Sequence, residues 1–165
     1  LLASIADGRA TRLLIGAQNG VYESADQGST VSRISTVVVN ANSGDPIEYG
    51  VPGNSAFVYF ASDNNLFLRT AGTGSPTQVN TVGASEILDV AVDPASPSRL
   101  FALSATTVSF SSNSGGSYGN VTGNLATLSP GALRSMVYVP RAGGDVLVVG
   151  ADRGVFYALS AGGFT

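Results

Sequence analysis

Four copies of one short-strand pattern, turn-forming residues between the strands, and no sustained 3.6-residue apolar period predict an all-β chain. The expected architecture is a β-propeller of about four four-stranded blades, as part of a larger or completed ring. The chain has 165 residues, 44% of them apolar, which suffices for a packed core. Its 21 glycines, with abundant Ser, Thr, Asn and Val, favour strands joined by tight turns.

The repeat is read first. "RLLIGAQNGVYESADQGST" (12–30), "FVYFASDNNLFLRTAGTGSP" (57–76), "RLFALSATTVSFSSNSGGSY" (99–118) and "DVLVVGADRGVFYALSAGGFT" (145–165) line up. The apolar residues just after each central turn are Val21, Leu66, Val108 and Val155, spaced by 45, 42 and 47 residues. That period is in the range of propeller blades. Upstream of each copy stands another strand candidate: "LLASIA" (1–6), "PIEYGV" (46–51), "ILDVAV" (87–92) and "RSMVYV" (134–139). Each unit therefore reads as strand, loop, strand, short hairpin, strand, Gly-containing turn and fourth strand. Approximate blades are 1–39, 40–82, 83–124 and 125–165. The last is expected to be incomplete, because the sequence stops near the turn where the first copy runs on through "VSRISTVVV". The unpaired edge of such a blade would call for completion by further chain.

The turn after the third strand carries its own motif. The first copy has Ser24-x-Asp26-x-Gly28-x-Thr30, and the third has Ser111-x-Asn113-x-Gly115-x-Ser117 followed by Tyr118. The second keeps Thr70, Gly72 and Gly74, and the fourth Ser160 with Gly162 and Gly163. An Asp or Asn here accepts hydrogen bonds from backbone N–H groups a few residues on, while Gly permits positive φ. Asp26 therefore reads as a turn staple and not as an enzymatic acid. The motif resembles the Asp-box, or bacterial neuraminidase repeat. The "VAVDP" lead-in before "RLFAL" is similar to blades of sortilin-type, photosystem-assembly-factor-type and xyloglucanase- or sialidase-type propellers. The resemblance implies a fold, and it implies that these boxes lie on the face away from the ligand. The families do unrelated things, so it implies no single activity.

Hairpins between the second and third strands then form the opposite, working face. Gln18, Asn19, Asp63, Asn64, Asn65, Thr106, Asp152 and Arg153 are its candidate binding residues. The links between blades, residues 40–45, 82–86 and 125–133, are expected to join it.

Composition removes several chemistries. There is no His, Cys or Trp, and all eight basic residues are Arg. Zinc sites, thiol chemistry, disulfides, Ser-His-Asp triads and Schiff bases have no residues to build them. A net charge of −3 with only 12% charged residues is a poor footprint for nucleic acid, and no run is long enough for a membrane helix. Arginines are scattered. Glu48, Asp63, Glu86, Asp89 and Asp152 could supply the two facing carboxylates of glycoside hydrolysis only if the fold brought them together. "NANSGD" and "DNN" lack the spacing of an EF-hand loop, and no cofactor or metal site is expected. The reading is a non-enzymatic, extracellular or periplasmic propeller module that binds protein or acts as a scaffold. Its partner is expected to be the remainder of the same protein or another copy. The alternatives are part of a glycoside hydrolase or sialidase-like enzyme whose acids lie in other blades, and a subunit of an extracellular surface layer or filament.

Overall fold

A computed structural model describes residues 2–7, 10–39, 45–51, 53–72, 74–83 and 85–159. It contains fifteen strands and one 3₁₀ turn among those residues, which makes the all-β expectation correct. The first sheet is β1 (Leu2–Asp7), β2 (Ala10–Ala17), β3 (Gly20–Ser24) and β4 (Ser32–Ser35). The second is β5 (Ile47–Val51), β6 (Asn54–Ser62), β7 (Asn65–Arg69) and β8 (Thr77–Gln78). The third is β9 (Asp89–Val92), β10 (Leu100–Leu103), β11 (Val108–Ser111) and β12 (Gly119–Asn120). The 3₁₀ turn Leu125–Leu128 leads to the fourth, of β13 (Leu133–Val139), β14 (Val146–Ala151) and β15 (Gly154–Leu159).

Every sheet is an antiparallel meander in chain order. First strands are neighbours in series, β1 beside β5, β5 beside β9 and β9 beside β13, so they form the inner edge of the stack. This is a β-propeller arrangement of four blades. The fourth sheet has three strands among the described residues, and residues 160–165, which hold the fourth copy's Ser160 and Gly162–Gly163, lie outside them.

Alternation along the strands explains the stacking. Residues of a strand point to opposite faces, so two apolar alternating sets allow a sheet to be buried on both sides. In β6, Val58 and Phe60 pack toward the first sheet with Leu14 and Val21. Tyr59 and Ala61, one residue out of phase, pack toward the third sheet with Leu100 and Ala102. The third sheet turns Phe101, Leu103 and Val108 to Leu147 and Val149 of the fourth. Among the described residues, none of these three clusters joins the first sheet to the fourth.

Turn chemistry fixes the ends. Gly20 opens β3 at φ +141°, and a Cβ there would fall 2.2 Å from the carbonyl oxygen of Ser35, so the close approach of β4 excludes any larger residue. The expected outer strand over "VSRISTVVV" is only Ser32–Ser35. Val39 beyond it is buried between the first two sheets instead, because core burial outweighs continued edge pairing there.

Candidate functional site

The two ends of the blades carry different residues. At one end lie the turns that follow β3 and β11. Ser24 Oγ donates to Asp26 Oδ1 at 2.8 Å and accepts from the N–H of Gly28 at 2.8 Å. Asp26 Oδ1 accepts from Thr30 N–H at 2.8 Å, and Oδ2 from Thr30 Oγ1 at 2.7 Å. The third sheet repeats the pattern. Ser111 Oγ meets Asn113 at 2.9 Å and Gly115 N–H at 2.9 Å, while Asn113 Oδ1 accepts from Ser117 N–H at 2.9 Å. The hydrogen bonds from Thr30 and then Ser24 hold the Asp26 carboxyl below the usual aspartate value. Tyr118 packs against the core cluster shared by the second and third sheets.

Each β3-type strand runs from that turn back to a hairpin at its other end. Gln18–Asn19 joins β2 to β3, Asp63–Asn64 joins β6 to β7, and Asp152–Arg153 joins β14 to β15. Asn65 is the first residue of β7, and Thr106 sits in the four-residue connection of the third sheet. Inter-blade links bond to these hairpins. Ile87 N–H donates to Asp63 C=O at 2.7 Å, Asn64 Nδ2 to Gly83 C=O at 2.8 Å, and Leu133 N–H to Ala105 C=O at 2.9 Å. Asp152 accepts from Ala132 N–H at 3.1 Å and from Arg134 Nε at 2.8 Å, which holds its carboxyl low. A polar rim results, with a cavity of about 340 Å³ between the link at Val82–Ile87 and β10–β12, bordered by Ser85, Ser104, Thr107 and Asn120. The link at 40–44 falls outside the described residues.

One of the arginines that look scattered in the sequence bridges two sheets. Arg69 on β7 reaches Glu23 on β3 of the preceding sheet through two hydrogen bonds, and Tyr49 OH donates to the same carboxylate at 3.1 Å. Burial alone would raise the Glu23 pKa, but Arg69 and then Arg12 overcome it and hold the carboxyl below its ordinary value. Arg99, at the repeat position of Arg12, pairs with Asp93 at 2.8 Å. Nothing local in either copy marks the Glu23–Arg69 pair, whose partners stand 46 residues apart.

Of the five carboxylates named from the sequence, two share a groove. Glu48 and Asp89 line about 320 Å³ on the inner strands, with Met136 and Tyr138. Asp89 is largely committed: Oδ2 accepts from Met136 N–H at 2.6 Å across the sheet boundary, and Oδ1 from Val90 N–H at 2.8 Å. Glu48 is an exposed residue of β5 with its carboxyl at the lip of this groove. Partial desolvation there first, and the Asp89 charge second, push its pKa up to about 7. Asp63 and Asp152 stand on the rim, away from this pair. No group of three or more potential metal-ligating residues occurs among the described residues, and no helix among them is long and apolar enough to cross a membrane.

No protein-family model matches the chain, and no curated protein matches it in sequence. Solved structures do. The GH74 enzyme of Niastella koreensis superposes over 99% of this chain with a TM-score of 0.70 at 20% identity. An ancestral GH74 enzyme superposes over 96% with 0.64 at 18%. The extracellular domain of a protein from B. thetaiotaomicron, assigned as a one-component system, covers 95% with 0.63 at 15%. The chain spans 24%, 22% and 21% of these three structures' own lengths. At such identities the likeness is one of fold.

Proposed function

We propose that the chain is a non-enzymatic, exported β-propeller module built on Asp-box turns, which binds protein or serves as a structural scaffold. The observation that carries this reading is the use of its acids. Asp26 clamps a turn, Glu23 binds Arg69 between sheets, Asp89 binds the Met136 N–H between sheets, and Asp152 ties a hairpin to its link. Structural hydrogen bonds hold Asp26, Glu23 and Asp152 ionised, which makes them poor proton carriers, while burial raises the Asp89 carboxyl even though both its oxygens accept backbone N–H groups. Low charge and the absence of Lys support export, as does the likeness to an extracellular domain. The rim of hairpins and links supplies a loop surface on a rigid frame, the usual place for recognition.

A second reading has its own observation. Glu48, with a pKa near neutrality beside Asp89, has the character of a general acid, and two of the structural neighbours are GH74 enzymes. Under that reading the chain is part of a glycoside hydrolase whose remaining acids lie in other blades.

Release of reducing ends from xyloglucan and related β-glucans by the protein that carries this chain, together with any further blades it has, tests both. The scaffold reading expects none above a heat-treated control. Release that disappears in Glu48→Gln would replace it by the hydrolase reading.

A further inference from the structure

One cross-strand pair of the second and third strands recurs on the same face of every sheet. One step in from Val21, Leu66, Val108 and Val155, the pairs are Ile15–Tyr22, Phe60–Phe67, Ala102–Ser109 and Val149–Phe156. Phe60 and Phe67 stack with ring centroids 4.9 Å apart and fill the junction of the first and second sheets. Val149 and Phe156 fill the junction of the third and fourth. Between the second and third sheets the pair is small. The space that a ring takes elsewhere is open there, and Ala102 and Ser109 line the cavity of about 340 Å³. Both of these sheets are stacked on both sides within the chain, so the gap does not depend on what flanks it.

The lining of the gap is chemically specific. Val82 and Ile87 give it apolar walls, Ser104, Thr107 and Ser109 give it hydroxyls, and no charged side chain lines it. Ser104 and Thr107 bond each other at 2.7 Å. Ser109 is 8% exposed, and its hydroxyl has no hydrogen-bond partner among the described residues. Asn120, its cross-strand neighbour on β12, also lines the cavity. Its Oδ1 accepts from Thr122 N–H at 2.9 Å, which leaves the Nδ2 donors without a partner among those residues. A buried hydroxyl left unpaired costs free energy until something pairs with it. Apolar walls with two neighbouring free polar groups are the make-up of a small-ligand site.

We propose that this cavity binds an uncharged aromatic ring that bears a hydroxyl, a ligand of the phenol class. The ring takes the place that Phe67 holds one sheet earlier, in the flat space between two stacked sheets. Its oxygen accepts from Asn120 Nδ2, and its hydroxyl pairs with Ser109 Oγ. A ring that carries a carboxylate is disfavoured, because the ion loses water there and gains no counter-charge. The proposal goes beyond the scaffold reading, and the sugar-release assay does not bear on it.

Calorimetric titration of p-cresol into the protein that carries this chain, together with any further blades it has, tests it. The expected result is saturable binding of p-cresol, weaker binding of toluene and none of benzoate. Ser109→Phe refills the gap as Phe67 does, and should abolish binding with an unchanged or higher melting temperature. Ser109→Ala keeps the space and removes the hydroxyl, so affinity for p-cresol should fall by about three- to tenfold, toward that of toluene. N-Acetyltyrosinamide in the same titration separates the two sources of such a ring. Its binding assigns the site to a tyrosine side chain of a protein partner, and its exclusion assigns it to a free phenol. No binding of p-cresol, benzoate bound as tightly, or affinity unchanged in both Ser109 variants would each overturn the proposal and leave a water-filled gap.

Discussion

Arg69 holds Glu23 across the junction of the first two sheets through two nitrogens, Nη1 to Oε2 at 2.8 Å and Nη2 to Oε1 at 2.9 Å. Both side chains are almost wholly buried. Removing Arg69 leaves the buried Glu23 carboxylate with Arg12 at 3.4 Å and the Tyr49 hydroxyl alone, and losing one partner of a buried pair costs up to roughly 3–5 kcal/mol. Arg69→Met should therefore lower the melting temperature strongly, and Glu23→Met with Arg69→Met together should recover much of the loss. Urea unfolding of the single and double variants checks this, and equal losses in all three would sink it. The folded pKa of Glu23 is depressed, so its contribution is present above the unfolded value of 4.5 and fades as pH falls through the folded one.

The serines that open the turn motif should matter more than their exposed neighbours. Ser24 Oγ and Ser111 Oγ accept from Gly28 and Gly115 N–H, and both serines are buried. Ser24→Ala and Ser111→Ala each leave a part-buried donor unpaired, which is expected to cost about 1–3 kcal/mol. Asp26→Ala should also lower the melting temperature, by loss of the Thr30 clamp. Its carboxyl is held low, so that clamp persists above the ordinary value of 3.8 and is lost as acid protonates the folded form. Thermal melts at pH 7 and pH 3 measure both effects. A Ser24→Ala variant as stable as wild type would contradict the staple role.

Asp89 joins two sheets through one backbone donor. Asp89→Ala removes the side-chain acceptor of the Met136 N–H. Faster hydrogen exchange at Met136 than at Val149, deep in the same sheet, is the expected signature. Unchanged protection at Met136 would mean that the junction does not depend on this bond.

Glu48 gives stability an opposite pH dependence. Its folded pKa is raised to about 7, so the native state favours the neutral acid. No penalty exists below the unfolded value of 4.5; it grows between there and about pH 7 as the carboxyl must ionise beside Asp89. Glu48→Gln should match wild type near pH 4 and exceed it in melting temperature near pH 8. Parallel curves for the two proteins across that range would remove Glu48 from the account. Because solvent reaches the side chain, the direction is the test and not the size.

The period from Val21 to Val155 and the turn residues between the strands were enough to read the blades, because strand alternation and hairpin chemistry are local. The Ser24 and Ser111 turns were legible for the same reason, since each staple bonds residues no more than four apart. The Glu23–Arg69 bridge was not, being 46 residues apart in the chain. Nor was the choice among five candidate acids, of which stacking brought only Glu48 and Asp89 to one groove.

Sequence alone determined that the chain is all-β, that its unit repeats four times, and that His, Cys and Lys chemistry is absent from it. Tertiary structure decided which acids meet and which arginines are buried. It also decided that Val155 stands in water while Val21, Leu66 and Val108, its repeat equivalents, do not. The physical reason is that local patterning sets which face of a strand is apolar, whereas only the stacking of one sheet on the next determines whether that face is covered.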